Sequence, residues 1–475
     1  MTDSSVLRVA VVGHTNTGKT SLLRTLTRDR AFGAVADAAG TTRQVQAASA
    51  QLDGQEVLTW YDTPGLEDSM ALYDWIEQLS RPGQRLDGPD RIALFLEDTQ
   101  ARQRFEQEYR VLLQIMDSDA MLYVVDVRDP VLPKHRDELH LLQLCAKPVL
   151  PVLNFTASSA AQTHPWIEAF ARQGIHMHLA FDSVTPPSDG EQVLYDTLAR
   201  LLGQGKTTLQ ALSRQAQTAR DQRREAALEL VARLCVKTAA IQRNLPQEKS
   251  AFQKALAQQQ TLVRHFEHEV VADLLRLYAF APDDYTAGEV PITDGQWQTD
   301  LFSKQALIEA GISLGKGAAV GALAGAAVDV LSAGLTLGAG TLAGATVGSV
   351  WQGVDHWGSQ VKAKLLGQVQ WRVGDDVLKV IAVRNLLLIR ALEQRGHAAQ
   401  GQIEVENKAP NQKTASDALP FDLEVFERAI AQSRLHPEWA DEVSSDGARQ
   451  ATVQTVAHCF AVCTLFEAVG FSRGN

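Results

Sequence analysis

The octapeptide Gly13-His14-Thr15-Asn16-Thr17-Gly18-Lys19-Thr20 follows the apolar run Val6–Val12 and opens the helical pattern Ser21–Thr27. A G-x-x-x-x-G-K-[ST] stretch between a strand and a helix restricts the fold. A buried strand must end in a tight loop that turns directly into a helix N-terminus. The glycines let backbone N–H groups wrap phosphates, and the helix N-terminus adds partial positive charge. Lys19 is placed to reach the β- and γ-phosphates of a nucleoside triphosphate, and Thr20 to offer its hydroxyl to Mg²⁺. The phosphate-binding set therefore runs from Gly13 through Ser21.

The surrounding pattern agrees with that loop. Val6–Val12, Gln55–Tyr61, Ala120–Asp126, Pro148–Asn154 and Ile175–Phe181 are short apolar runs separated by amphipathic stretches. This alternation predicts a three-layer α/β domain with a mostly parallel sheet over residues 1–203. Residues 67–105 read as an insertion, broken at Arg81-Pro82-Gly83. Beyond Gly203-Gln204-Gly205 the texture becomes helical. Residues 204–281 predict a long helical hairpin turning at Pro246, 282–304 a linker, and 305–475 a further helical domain. An all-α C-terminal region is expected, with a flexible loop over 396–419.

Two further motifs belong to the nucleotide site. Asp62-Thr63-Pro64-Gly65 ends the strand Gln55–Tyr61. A strand-terminal Asp beside the phosphate loop is positioned to hold Mg²⁺, and Gly65 can offer its N–H to the γ-phosphate. Between them lies Gly40-Thr41-Thr42-Arg43, where a threonine can close over Mg²⁺ when the γ-phosphate is present. Thr42 is favoured over Thr41 for that contact.

Together with Asp119-Ala120-Met121-Leu122-Tyr123-Val124-Val125-Asp126, these motifs resemble the Era-like and tRNA-modification branch of translation-factor-type P-loop GTPases. The whole chain resembles a bacterial group that adds a long C-terminal helical domain of unknown function. The resemblance implies GTP and GDP as ligands, Mg²⁺ held by Thr20, Thr42 and Asp62, and slow hydrolysis. It also implies that Asn16 corresponds to the asparagine that helps hold K⁺ in potassium-stimulated relatives; the alternative is a turn-stabilising Asn. Leu66 stands where Ras-like enzymes carry a water-positioning Gln, and a leucine cannot orient water.

The sequence departs from the family at the base-reading motif. Asn-Lys-x-Asp is replaced by Asn154-Phe155-Thr156-Ala157. Asn154 can still meet the base and Phe155 can stack on its face, but Ala157 accepts no hydrogen bond from guanine N1 and N2. Asp182-Ser183 stands where the last base-side motif falls, offering a side-chain or backbone contact. Weakened discrimination between GTP and ATP is expected.

Composition bounds the partners. The chain has 475 residues and a net charge of −11, so no general attraction to nucleic acid is expected, and no basic aromatic patch supports one. Cys145, Cys235, Cys459 and Cys463 lack metal-ligand spacing, and the N-terminus lacks a signal-peptide layout, so a reduced cytoplasmic setting is expected. Residues 305–354 are rich in Gly and Ala, with Gly317, Gly321 and Gly325, then Gly340, Gly344 and Gly348, spaced four apart. No charge falls between Val330 and Val354, a length of about 25 positions that suffices to cross a bilayer. This segment is either a hairpin engaging the inner face of a membrane or a tightly packed soluble hairpin. The expectation is a GTP-binding switch with slow Mg²⁺-dependent hydrolysis and membrane association. Alternatives are an RNA-linked GTPase or a nucleotide-binding scaffold that hydrolyses little. A homodimer or another protein partner is compatible with each.

Overall fold

The computed structural model describes residues 6–29, 32–33, 45–79, 86–280, 292–293, 296–297, 299–310, 368–395, 419–441, 447–463 and 465–466. Gly40–Arg43 and the Gly/Ala segment from 311 to 354 lie outside these residues, as does all but the last position of the 396–419 loop. The described chain divides into two compact units: the first runs through Asp221 and takes in Gln394 and Arg395, and the second holds the rest from Gln222. The first unit thus runs past residue 203, the boundary expected from sequence.

The first unit is a six-stranded sheet in the order β2-β3-β1-β4-β5-β6. The strands are β1 (Leu7–Val12), β2 (Gln46–Leu52), β3 (Gln55–Asp62), β4 (Ala120–Asp126), β5 (Val149–Asn154) and β6 (Leu179–Ala180). All neighbours pair in parallel except β2, which forms an antiparallel hairpin with β3. Alternate residues of the central strands feed two separate cores. Ala10, Val12, Met121, Tyr123 and Val125 face one side, while Val9, Val11, Leu122 and Val124 face the other. Burial on both faces explains why β1, β4 and β5 read as continuous apolar runs.

Helix α1 (Lys19–Thr27) and, later in the chain, α8 (Gly190–Leu201) cover one face with Leu22, Leu23, Leu194 and Leu198. The other face is covered by α2 (Ser69–Leu79), α3 (Gly88–Glu97), α4 (Thr99–Arg104), α5 (Glu106–Met116), α6 (Pro133–Leu144) and α7 (Thr163–Arg172). The stretch expected as an insertion at 67–105 therefore supplies structural helices. Leu72, Ile76, Ile92, Phe95 and Phe105 are buried in the same core as β1 and β4. Asp87 caps α3, accepting from the Asp90 N–H at 3.0 Å, with Pro89 in its first turn.

The second unit is largely helical, with two short antiparallel pairs added. Helix α9 (Lys206–Ala239) crosses the unit boundary and is followed by β7 (Gln242–Pro246) and α10 (Lys249–Leu277). Pro246 thus ends a strand rather than turning one helix directly into another. β8 (Ile292–Thr293) and β9 (Gln296–Trp297) form a hairpin within the expected linker, and α11 (Lys304–Glu309) follows. β10 (Gln368–Arg372) pairs with β7, then come α12 (Asp375–Glu393), α13 (Leu423–Arg434) and α14 (Gly447–Ala461). Their core holds Val231, Cys235, Val271, Leu274, Trp371, Ile381, Ile389, Phe426 and Phe460. Inside it Glu267, 2% exposed, pairs with Arg384 and accepts from Asn385 Nδ2 at 3.1 Å. All four cysteines are buried. Among the described residues no helix is long and apolar enough to cross a membrane, and no cluster of His, Cys, Asp and Glu has metal-binding geometry.

Candidate nucleotide site

The loop after β1 is shaped by its backbone. Asn16 and Gly18 both adopt left-handed conformations, with φ of 66° and 89°, and Gly18 leads into α1. Left-handed residues in such a turn point successive N–H groups into one concavity, which suits an anion. Gly13 is required by close approach, because a Cβ there would lie 2.3 Å from the Val124 carbonyl oxygen. Thr17 Oγ1 donates to the His14 carbonyl at 3.0 Å.

Lys19 is 7% exposed and donates to the carbonyls of Gly13 at 3.1 Å and His14 at 2.7 Å. Burial pushes its ammonium down to about 8, against the opposing pull of the Asp62, Glu138 and Glu67 carboxylates. Thr20 Oγ1 donates to Asp62 Oδ2 at 2.6 Å. Asp62 Oδ1 is buried and has no hydrogen-bond partner among the described residues. Burial raises the Asp62 carboxyl above its ordinary value, with the Thr20 bond and the charges of Lys19 and Arg24 acting against it. An orphaned buried carboxylate oxygen beside a hydroxyl is an incomplete cation site, and this oxygen-only donor pair fits Mg²⁺.

The segment after Asp62 is held tightly against the loop. Thr63 Oγ1 donates to the Val11 carbonyl at 2.8 Å, and Leu66 N–H donates to the Gly13 carbonyl at 3.2 Å. A Cβ on Gly65 would fall 2.3 Å from Thr15 Oγ1 and 2.7 Å from the Thr15 N. Leu66 is buried in the core rather than aimed into the site. Glu108 of α5 accepts from the N–H groups of Glu67 and Asp68, both at 3.2 Å.

A buried polar chain supports the loop from behind. Glu138 of α6, fully buried, accepts from Tyr123 OH at 2.7 Å and meets His14 Nδ1 at 2.8 Å. His14 Nε2 lies 2.8 Å from Lys134 Nζ. An ammonium can only donate, so Nε2 accepts and Nδ1 carries the proton shared with Glu138. The i,i+4 placement of Lys134 and Glu138 on a helical pattern was the signal available in sequence, but their shared partner is tertiary.

On the base side Asn154 acts as a clip. Its Nδ2 donates to the Thr17 carbonyl at 2.9 Å, and its Oδ1 accepts from Phe155 N at 2.9 Å and Ser183 N at 2.8 Å. Asn154 is fully buried. These contacts fix loops, where a contact to the base was expected. Asp182 is likewise turned inward. Its oxygens accept from the N–H groups of Ala157 at 3.0 Å, Val184 at 2.8 Å and Thr185 at 3.0 Å. Ser183 contributes its carbonyl, which accepts from Thr25 Oγ1 at 2.9 Å. Phe155 stands at φ 61° and carries the Arg128 guanidinium over its ring, 3.9 Å from the centroid. Arg128 was not singled out from sequence. Thr41 and Thr42 fall outside the described residues.

Residues 8–155 match the family described as a 50S ribosome-binding GTPase, and residues 168–458 match the Domain of unknown function (DUF3482), which spans more than half of the chain. Among solved structures, Era in complex with MgGDPNP and a stretch of 16S ribosomal RNA is similar at 18% identity and a TM-score of 0.30. Era of Aquifex aeolicus bound to GDP.AlF4⁻ is similar at 18% and 0.29. Each match covers 42% of this chain and 58% of the Era chain. A probable GTP-binding protein, EngB, is similar at 13% identity and 0.26, over 41% of this chain and 97% of its own. No curated protein sequence matches the chain.

Proposed function

Because the chain belongs to the family defined by the DUF3482 domain, here following an Era-like P-loop GTPase domain, we propose that it is a slow, Mg²⁺-dependent GTP hydrolase that works as a molecular switch. The observation that carries this reading is the Thr20–Asp62 pair, with its orphaned oxygen Asp62 Oδ1, beside the buried Lys19. Thr20 and Asp62 would hold Mg²⁺, which neutralises charge developing on the phosphates when bound. Lys19 supplies a fixed positive charge in a site screened from water, where it acts most strongly on the transferring group. The N–H groups around Asn16–Gly18 bind and orient the phosphates. Leu66 supports the low rate, since its side chain lies in the core and offers nothing to orient water. Gly65, packed on Thr15, supports a switch, because any movement of this segment must pass through that contact.

The test is release of phosphate from GTP by the full chain, with and without EDTA. Slow release that requires Mg²⁺ and disappears in Lys19→Ala is expected. Equal release by Lys19→Ala would overturn the assignment. For the K⁺ reading, Asn16→Gly keeps the left-handed backbone and removes only the side chain. Faster wild-type turnover in KCl than in NaCl, lost in Asn16→Gly, is expected; equal wild-type rates would refute it. The uncharged Val330–Val354 stretch supports membrane contact, and co-flotation of the full chain with anionic vesicles tests it. An RNA-linked role finds its support only in the names of similar proteins, and the net charge of −11 weighs against it.

A further inference from the structure

The motif that holds the nucleoside in related domains carries a lysine where this chain has Phe155, so a cation is missing beside the base loop. Arg128 stands in its place. It lies just after β4, and its Nε and Nη2 donate to Asp126 Oδ1 at 2.9 Å and Oδ2 at 2.6 Å. The grip of Asp126 holds the guanidinium over the Phe155 ring, and the left-handed backbone of Phe155 is clipped by Asn154. The ring tip reaches the phosphate loop: a Cβ on Gly18 would sit 3.2 Å from Phe155 Cζ. Arg128 Nη1 has no hydrogen-bond partner among the described residues. Arg128 also lines a cavity of about 150 Å³ with Asn16, Thr17, Asp126 and Asp129. The other polar groups at this end are engaged, with Asn154 and Asp182 committed to backbone groups.

We propose that Arg128, gripped by Asp126 and stacked on Phe155, donates from Nη1 to the ribose of the bound nucleotide. The wall Asp126–Arg128–Phe155 is then a composite substitute for the missing lysine. This rests on the reading that the loop binds a nucleoside triphosphate. The ribose, rather than the base, is the partner because it is joined directly to the phosphates and so must lie next to the Asn16–Gly18 wall that Arg128 borders. A contact to the sugar adds affinity without choosing between purines.

The test uses the full chain, with binding of GDP, ADP and inorganic tripolyphosphate measured by calorimetry. Arg128→Ala is expected to weaken GDP and ADP by the same factor, about tenfold for loss of a charge-assisted hydrogen bond. Tripolyphosphate, which has no sugar, should bind as in wild type. Arg128→Gln should fall in the same direction, which covers any folding defect of the alanine variant. The double variant Arg128→Ala with Phe155→Lys, which rebuilds the lysine, should recover nucleotide affinity. Unchanged GDP binding, equal loss for tripolyphosphate, or loss confined to GDP would each overturn the ribose contact. A wild-type chain that binds none of the three probes would instead overturn the nucleotide-site reading itself.

Discussion

Lys19 should make nucleotide binding proton-linked. In the free protein its ammonium is displaced by burial from 10.5 to about 8. That displacement corresponds to roughly 3 kcal/mol held against the charged form. Phosphates in the loop favour the charged form and return the group toward its ordinary value. A phosphate's own second ionisation lies near 6, so a window from pH 7.5 to 9 isolates the lysine. At pH 9 the free protein holds the Lys19 proton in roughly one molecule in ten, so binding should take up roughly nine tenths of a proton. Near pH 7 the uptake should fall to roughly one tenth. GDP affinity should therefore be flat toward pH 7 and drop nearly tenfold per pH unit above 8. The same displacement sets the stability of the free protein. Its folded pKa lies below the unfolded one, so the unfolded chain binds more protons between about 8 and 10.5, and stability rises with pH across that window. Calorimetry in buffers of differing ionisation enthalpy measures the uptake directly. An affinity that stays flat from pH 7.5 to 9, with no proton uptake, would refute the argument.

Three further outcomes follow from contacts described above. Gly65→Ala places a Cβ against Thr15 backbone that cannot yield; single-turnover GTP hydrolysis should collapse while GDP affinity stays near wild type. Asn154→Ala removes the partner of Thr17, Phe155 and Ser183 backbone groups. Loss of roughly 2–4 kcal/mol is expected, seen as a drop of about 10 °C in the first unit's thermal transition. Glu267→Ala strands Arg384, 8% exposed, in the core of the second unit. A cost of about 3–5 kcal/mol in that unit's calorimetric transition is expected, recovered by adding Arg384→Met.

The parallel core was legible because its strands are buried on both faces. Leu7–Val12, Ala120–Asp126 and Val149–Asn154 match the apolar runs closely. β2 was not, since Gln46–Leu52 is a small, polar edge strand whose pairing to β3 decides its conformation. The run Ile175–Phe181 yields only the two-residue strand Leu179–Ala180. The phosphate loop and Asp62 could be read because their chemistry is local in sequence. Arg128, Glu138 and Glu108 could not, because each acts on a group brought near only by the fold. The same holds for Asn154 and Asp182. Their identities were plain, but whether they face a ligand or the backbone depends on loops from separate strands.

The β7–β10 pairing joins Pro246 to Gln368 and Gln242 to Arg372. It clasps shut an excursion of roughly 120 residues, and closing a loop of that length costs about 4 kcal/mol of chain entropy. Little of that cost depends on what the excursion contains, since doubling its length would add only about 0.6 kcal/mol. The clasp therefore lets the second unit tolerate insertions between the two strands, provided α10 and the buried Phe280, Leu301, Phe302 and Ala306 are spared. It also bears on the order of folding: so distant a pairing is expected to form after α9 and α10, whose contacts are local. Chains that vary widely in the length of this excursion should keep the same core on either side of it.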